Sequence, residues 1–212
     1  MQLIGMLDSP YVRRVAVSLQ LLGLPFRHRS LSVFSTFDEF RRLSPVVKAP
    51  SLVCDDGAVL LDSTLILEYA EALARPRRLT PMDPAALRQD LLVTGLALAA
   101  CEKSVQIIYE HRVRPPEKLH QPWIDRVTDQ MLTALDLLDA EVARRPLPVT
   151  SATLTQAAVT TGVVWHFIHA MLPQALPADR FQALRAFSAQ AEALPEFMAA
   201  PHGDGTCRAG ER

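Results

Sequence analysis

The sequence predicts two units, a mixed α/β unit over residues 1–75 and an all-helical unit over residues 85–203. In the first stretch, short apolar runs typical of strands alternate with apolar residues at helical spacing; beyond it, only the helical period recurs. A basic, proline-rich stretch over residues 76–84 separates the two and is predicted to be a linker. Residues 204–212 are polar and glycine-rich, which predicts a frayed tail.

The first strand and helix have clear boundaries. Gln2–Leu7 is a short apolar run, which predicts a strand. Ser9 and Pro10 then place a hydroxyl at the N-cap and a proline in the first turn of a helix that continues until Gly23. Phe26–Ser32 predicts a second strand.

A short helix and a hairpin follow. The segment from Thr36 to Glu39 has capping-box spacing and predicts a helix through Leu43. Ser51–Cys54 and Ala58–Leu61 are apolar runs joined by Asp-Asp-Gly, a turn typical of a β-hairpin. Asp62 and Ser63 then begin a helix through Leu73. The order β-α-β-α-β-β-α predicts a small mixed sheet with helices on its faces.

The second half contains four predicted helices. One begins at Asp83-Pro84 and extends to about Arg112, and a second covers Pro122 to Arg144. Capping-box spacing from Thr153 to Gln156 predicts the start of a third over Ala157–Met171, and a fourth covers residues 178–194.

Composition narrows the class of protein. With 212 residues, 49% of them hydrophobic, the chain can bury a sizeable core and is not disordered. The 22 Lys+Arg against 23 Asp+Glu give a net charge of −1, which argues against a nucleic-acid partner. Three widely spaced cysteines without a CxxC pair indicate a reducing compartment, and no apolar run has the length of a membrane span. We therefore expect a cytoplasmic protein without a membrane or nucleic-acid partner.

Three segments together indicate a family: Asp8-Ser9-Pro10-Tyr11-Val12-Arg13-Arg14, Ser44-Pro45-Val46-Val47-Lys48-Ala49-Pro50, and Leu61-Asp62-Ser63-Thr64-Leu65-Ile66-Leu67-Glu68-Tyr69. In this order, ahead of a proline-rich linker and a helical half, they make the chain from residue 1 to about 203 resemble the cytosolic glutathione S-transferases, in particular the bacterial branch with a Ser-Pro motif. The resemblance implies a thioredoxin-like N-terminal domain that binds glutathione, a helical C-terminal domain that supplies most of the second-substrate pocket, and a homodimer.

Ser9 is the candidate catalytic residue. It lies where the first strand gives way to the first helix, and a thiolate beside a helix N-terminus is stabilised by unpaired N–H groups and the helix dipole. The serine hydroxyl can also donate a hydrogen bond to the sulfur. The alternative is that Ser9 only caps the helix. Because no cysteine lies near this position, dithiol exchange of the glutaredoxin kind is excluded.

The resemblance also implies the glutathione-binding residues. Pro50 would follow a cis peptide bond, Ala49 would pair through its main chain with the cysteinyl unit, and Lys48 would reach the glycyl carboxylate. Asp62 and Ser63 would hold the γ-glutamyl end. The chain departs from the family at Val47 and Ser44, where glycine and asparagine are common, and Lys48 has a second interpretation as a solvated surface lysine.

Four aromatic residues are candidates for the second-substrate pocket: Tyr11, Phe34, Tyr109 and Trp165. Each has the alternative of a core position. His166 and His169 share a helix face, but no third ligand is near them in sequence, so no metal site is expected.

These residues predict a glutathione transferase that activates the thiol of bound glutathione for attack on a small hydrophobic electrophile. Glutathione would be the co-substrate, with no metal. Glutathione-dependent isomerase or peroxidase activity belongs to the same chemistry and stays open. The alternative is a non-catalytic glutathione-transferase-like protein that binds ligands or serves as a scaffold.

Overall fold

A computed structural model describes residues 1–208. The chain forms two compact units. The first unit contains Met1–Thr80 together with the residues from Glu192 onward, and the second contains Pro81–Ala191. The division after Thr80 falls within the predicted linker. The C-terminal segment, in contrast, joins the α/β unit and not the helical one. The end of the predicted tail, residues 209–212, lies outside the described residues.

The first unit has the predicted thioredoxin-like order of elements. The elements are β1 Gln2–Ile4, α1 Pro10–Leu21, β2 Arg27–Arg29, α2 Phe37–Leu43, β3 Ser51–Val53, β4 Val59–Leu61 and α3 Ser63–Leu73. The four strands form one sheet in the order β2-β1-β3-β4, in which β1 pairs parallel with β2 and antiparallel with β3. The strands are shorter than predicted, and β1 ends where Gly5 adopts a φ of +135°.

Local sequence signals explain most of these boundaries. The Asp-Asp-Gly turn closes the β3–β4 hairpin as predicted, with Gly57 at a φ of +88° and the Cys54 N–H donating to the Ala58 carbonyl. The predicted capping box at Thr36 does not form. Helix α2 begins there, but the Thr36 hydroxyl accepts from the Ser32 N–H and not from its own helix.

The C-terminal segment is bound to the first unit. The fraying predicted for residues 204–212 is wrong for residues 204–208, since the Asp204 carbonyl accepts from the Ser30 hydroxyl and the Arg208 N–H donates to the Ala199 carbonyl. A short helix, α8 (Pro195–Met198), packs on α1. The Arg13 guanidinium donates to both carboxylate oxygens of Glu192, at 2.7 and 2.6 Å, and its Nε donates to the Ala200 carbonyl at 2.7 Å. A buried arginine thus connects the start of α1 to residues 179 and 187 positions later.

His28 makes a second connection to this segment. Its Nδ1 accepts from the Cys207 N–H at 2.9 Å, and its Nε2 lies 2.7 Å from the Gly5 carbonyl oxygen. These two partners require a neutral ring with its proton on Nε2. Burial lowers the pKa of His28, which favours that neutral form.

The second unit is helical, as predicted. It contains α4 Pro84–Arg112, α5 Gln121–Arg144, α6 Gln156–Met171 and α7, which begins at Gln182, with short 3-10 turns at Pro116–Lys118 and Pro173–Ala175. Helix α4 packs against both α5 and α6. The first three helices match their predicted ranges. The predicted helix over 178–194 is shorter, because Phe181 adopts a φ of +64° just before α7 and the helix ends at Glu192.

The predicted capping box of α6 does not form, and the N-cap of this helix lies two residues later than predicted. The N-cap is Thr155, whose hydroxyl accepts from the Ala158 N–H, whereas Thr153 bonds to Thr150 in the preceding turn. The residue at N3 is therefore Ala158, which cannot return a bond to the cap. Instead the carboxylate of Asp90 on α4 accepts from the Ala157 N–H at 3.2 Å. A side chain from another helix thus completes this helix start.

By length and composition, α4 could cross a membrane, which differs from the expectation that no stretch has these properties. Of its most apolar stretch, 44% is buried within the protein. Within its unit, this helix packs against both α5 and α6.

Val47 occupies a backbone conformation that favours glycine, with a φ of +52°. Its side chain packs at the edge of the cluster formed by Ile4, Leu31 and Phe40. Alanine and glycine both remove most of this packing, but only alanine keeps a Cβ in the left-handed region. We expect Val47→Gly to be more stable than Val47→Ala by about 1 kcal/mol, measured by urea unfolding. The usual order, with alanine more stable, would contradict the assigned backbone conformation.

Candidate functional site

Ser9 lies at the N-terminus of α1 as predicted, with a half-buried side chain. Its Oγ accepts from the Val12 N–H at 3.4 Å. This bond uses a lone pair of the hydroxyl and leaves its proton free for donation to another group. Capping and donation to a sulfur are therefore compatible roles for this one residue.

The loop that contains Ala49 approaches the start of α1 closely. A Cβ built on Gly5 would lie 2.5 Å from a methyl of Val12 and 3.2 Å from the Cβ of Ala49, so only glycine fits between them. The Ala49–Pro50 peptide bond is cis, as the resemblance implies. Gly5 thus allows the end of β1, the first turn of α1 and this loop to lie side by side.

Two serines, Ser44 and Ser51, hold this loop in place through hydrogen bonds. The Ser51 hydroxyl donates to the Lys48 carbonyl at 2.7 Å and lies 2.9 Å from the hydroxyl of buried Ser44. Ser44 is one of the two departures from the family pattern. In this chain its small side chain supports Ser51, which in turn anchors the loop.

Lys48 and Asp62 come together although 14 positions separate them. The Lys48 Nζ lies 3.7 Å from one carboxylate oxygen of Asp62, and the other oxygen caps α3 by accepting from the Thr64 N–H at 2.9 Å. Both side chains are about half exposed, so the pair itself contributes little to stability. Asp62 has a φ of +71°, a conformation that aspartate tolerates better than most residues. An acid and a base thus flank the N-terminus of α3 with access to solvent.

Ser63 is buried and accepts a hydrogen bond from an arginine that the sequence reasoning did not assign. The Arg14 Nη1 lies 3.1 Å from the Ser63 hydroxyl and 3.2 Å from the Thr64 hydroxyl. Arg14 is 1% exposed. The one local signal is that Arg14 directly precedes the apolar run of residues 15–17, which is buried on α1.

The four aromatic candidates have different environments within their own units. In the first unit, Phe34 is exposed and Tyr11 is half-buried. In the second, Tyr109 is exposed, while Trp165 is buried and meets Phe181 edge-on, with ring centroids 5.6 Å apart. Phe34 and Tyr109 are therefore accessible, whereas Trp165 has the packing of a core residue.

Cys54 and the histidines of α6 are further candidates for nucleophilic or metal-binding groups among the described residues. Burial raises the pKa of the Cys54 thiol, and nearby Asp56 raises it further, so this cysteine stays protonated at neutral pH. Among residues 1–208, no group of three His, Cys, Asp or Glu side chains is arranged to hold a metal ion. His166 is half-buried and His169 exposed.

Comparison with known proteins links this geometry to a family. A model of the glutathione S-transferase N-terminal domain matches residues 3–78. The uncharacterized GST-like protein YibF of Escherichia coli K12 is 23% identical over 77% of this chain and 80% of its own.

Two solved structures cover nearly the whole chain. A glutathione transferase family member from Pseudomonas fluorescens Pf-5, with bound glutathione, is 26% identical over 95% of this chain and 98% of its own, with a TM-score of 0.80. A glutathione S-transferase from Methylobacterium radiotolerans JCM 2831, in complex with glutathione sulfonate, is 25% identical over 95% of each chain, with a TM-score of 0.82. Residues 3–78 thus match the N-terminal domain of the glutathione S-transferases, and the chain as a whole is similar to solved glutathione transferases.

Proposed function

We propose that the protein is a glutathione transferase that lowers the thiol pKa of bound glutathione and delivers the thiolate to a small hydrophobic electrophile. The observation that carries this proposal is the Ser9 hydroxyl at the N-terminus of α1, with its proton available for a sulfur. The solved relatives with bound glutathione or glutathione sulfonate support the choice of glutathione as the co-substrate.

The proposed binding roles follow from the chemistry of the residues around the N-terminus of α3 and of the loop that contains Ala49. The α-carboxylate of the γ-glutamyl unit suits the N-terminus of α3 and the Ser63 hydroxyl, while the Asp62 carboxylate suits its α-ammonium group. Lys48 suits the glycyl carboxylate, and the main chain of Ala49, before cis-Pro50, suits the cysteinyl unit. Together these groups would hold the sulfur beside Ser9.

Activation in this proposal has two parts. The N–H groups at the start of α1 and the helix dipole favour a negative sulfur, and the Ser9 hydroxyl adds one charge-assisted hydrogen bond. A one-unit decrease in the thiol pKa corresponds to about 1.4 kcal/mol, which a single such bond can provide. Holding the thiolate beside the electrophile lowers the barrier further. We propose Tyr11 and Phe34 of the first unit as contacts of the electrophile. Tyr109 and Trp165, in the second unit, stay predictions from the sequence.

Conjugation of glutathione to 1-chloro-2,4-dinitrobenzene tests this proposal. At neutral pH we expect Ser9→Ala to lower kcat/KM by about tenfold or more, because a one-unit rise in the thiol pKa removes most of the thiolate. The matched control is Thr155→Ala, which also removes an N-cap hydroxyl but from α6. Each variant should lose about 1 kcal/mol of stability, and only Ser9→Ala should lose activity. Equal kinetics for the two variants would remove Ser9 from the mechanism.

We further propose a homodimer. Leu65, Tyr69 and Leu73 are exposed at i, i+4 and i+8 on α3, and Val59 of neighbouring β4 is exposed as well. A continuous apolar stripe of this kind marks an interaction surface. Sedimentation velocity should show a dimer that Leu65→Glu converts to a monomer, whereas Leu137→Glu, an exposed leucine of α5, should leave it intact. A wild-type monomer at micromolar concentration would contradict the proposal.

A further inference from the structure

Arg14 is a buried cation that contacts the first turn of α3. Its guanidinium reaches from α1 to two successive hydroxyls, those of Ser63 at 3.1 Å and Thr64 at 3.2 Å. Both residues lie in the first turn of α3, after the cap Asp62. The charge thus lies within hydrogen-bond distance of two hydroxyls in the turn whose N–H groups could bind an anion.

The direction of the hydrogen bond to Ser63 follows from the chemistry of arginine. A guanidinium has five donors and no acceptor, so the Ser63 oxygen must accept from Arg14. The hydroxyl proton of Ser63 is then left to donate on its other side. Donation from a charged group also polarises the hydroxyl and makes it a stronger donor.

Burial of Arg14 strengthens its polarisation of the Ser63 hydroxyl. Arg14 is 1% exposed, and a charge in a low-dielectric interior acts on nearby groups with little screening. A ligand carboxylate at the N-terminus of α3 would therefore meet three favourable features: the N–H groups of the first turn other than that of Thr64, a polarised hydroxyl and a fixed positive charge nearby.

We propose that Arg14 is a positioning residue that makes the site selective for the α-carboxylate of the γ-glutamyl unit, acting through the Ser63 and Thr64 hydroxyls. This inference rests on the proposed function, since it assumes that glutathione binds with its γ-glutamyl end at α3. Arg14 need not touch the ligand. Its role is to orient and polarise the groups that do.

The test compares two ligands by isothermal titration calorimetry: glutathione and its analogue in which 4-aminobutyryl replaces the γ-glutamyl unit. The analogue lacks only the α-carboxylate. Wild type should bind glutathione at least tenfold more tightly than the analogue. In Arg14→Met this ratio should decrease about tenfold, with affinity for the analogue nearly unchanged. Arg14→Lys should be intermediate, because a lysine keeps the charge but not the fork of donors.

Two further variants keep the test decisive. Ser63→Ala should lower the same ratio, and adding Arg14→Lys to it should have less effect than Arg14→Lys alone, since both act through one hydroxyl. Arg77→Gln, a change in an exposed arginine of the first unit, should leave the ratio unchanged. If circular dichroism shows that Arg14→Met does not fold, the ligand ratio is compared in Arg14→Lys and Ser63→Ala instead.

The outcomes separate the inference from the proposed function. If wild type prefers glutathione but the Arg14 variants lose affinity for both ligands equally, Arg14 has a structural role only and the inference is wrong. If wild type binds neither ligand, the proposed function and the inference are both overturned.

Discussion

Replacement of Glu192 by alanine is expected to lower the free energy of unfolding by about 3 kcal/mol. The Arg13–Glu192 pair is bidentate, and the arginine side chain is only 2% exposed against 24% for the glutamate. Removing the acid therefore leaves a buried cation that has lost its compensating charge. Denaturant unfolding of the wild type and the variant measures this loss.

Two further variants show whether the uncompensated charge of Arg13 causes the loss of stability. Adding Arg13→Met to Glu192→Ala should restore much of the stability, because a methionine fills the space without a charge. Asp136→Ala breaks the exposed pair of Asp136 with Arg180 and should cost at most about 0.5 kcal/mol. If Glu192→Ala costs no more than Asp136→Ala, the C-terminal segment is not held by this ion pair.

The second large effect is expected on glutathione affinity when Asp62 is replaced by asparagine. Asparagine can keep the cap to the Thr64 N–H and tolerates a positive φ, so Asp62→Asn removes only the negative charge. We expect this variant to keep its stability within about 0.5 kcal/mol and to bind glutathione about tenfold more weakly, since the α-ammonium loses its charged partner. Calorimetric titration measures the glutathione affinity, and urea unfolding measures the free energy of unfolding.

Asp62→Ala separates the cap from the charge. It should lose a similar amount of affinity and in addition about 2 kcal/mol of stability, because alanine supplies neither the cap nor tolerance of the positive φ. Asp56→Asn, a change in the exposed hairpin turn, is the control and should leave binding intact. Full glutathione affinity in Asp62→Asn would exclude a direct contact between Asp62 and the ammonium group.

Local signals predicted the parts of the fold that depend on neighbouring residues. The Ser9-Pro10 helix start, the Asp-Asp-Gly hairpin and the order of elements in the first unit are set by caps, turns and apolar period, all readable within a few positions. Where two signals of equal quality lie close together, the local pattern is ambiguous. Thr153 and Thr155 are both suitable N-caps, and the choice between them depends on Asp90 from another helix.

Long-range polar contacts could not be predicted in this way. Arginines on a helix usually indicate a solvated face, yet Arg13 and Arg14 are both buried on α1. Their partners are 179 and 49 positions away in the sequence. No periodicity links residues so far apart, and the same reason explains why the C-terminal segment was expected to fray.

The central claim is that Ser9 stabilises the thiolate of bound glutathione, and a titration of that thiol tests it most directly. Thiolate absorbance is followed against pH for glutathione bound to the wild type and to Ser9→Ala. In the wild type we predict a thiol pKa at least about one unit below that of a free thiol, near 8.5, and a rise of about one unit in the variant. Bound glutathione with an unshifted pKa, or with the same pKa in both proteins, would contradict the account and favour a protein that binds glutathione without activating it.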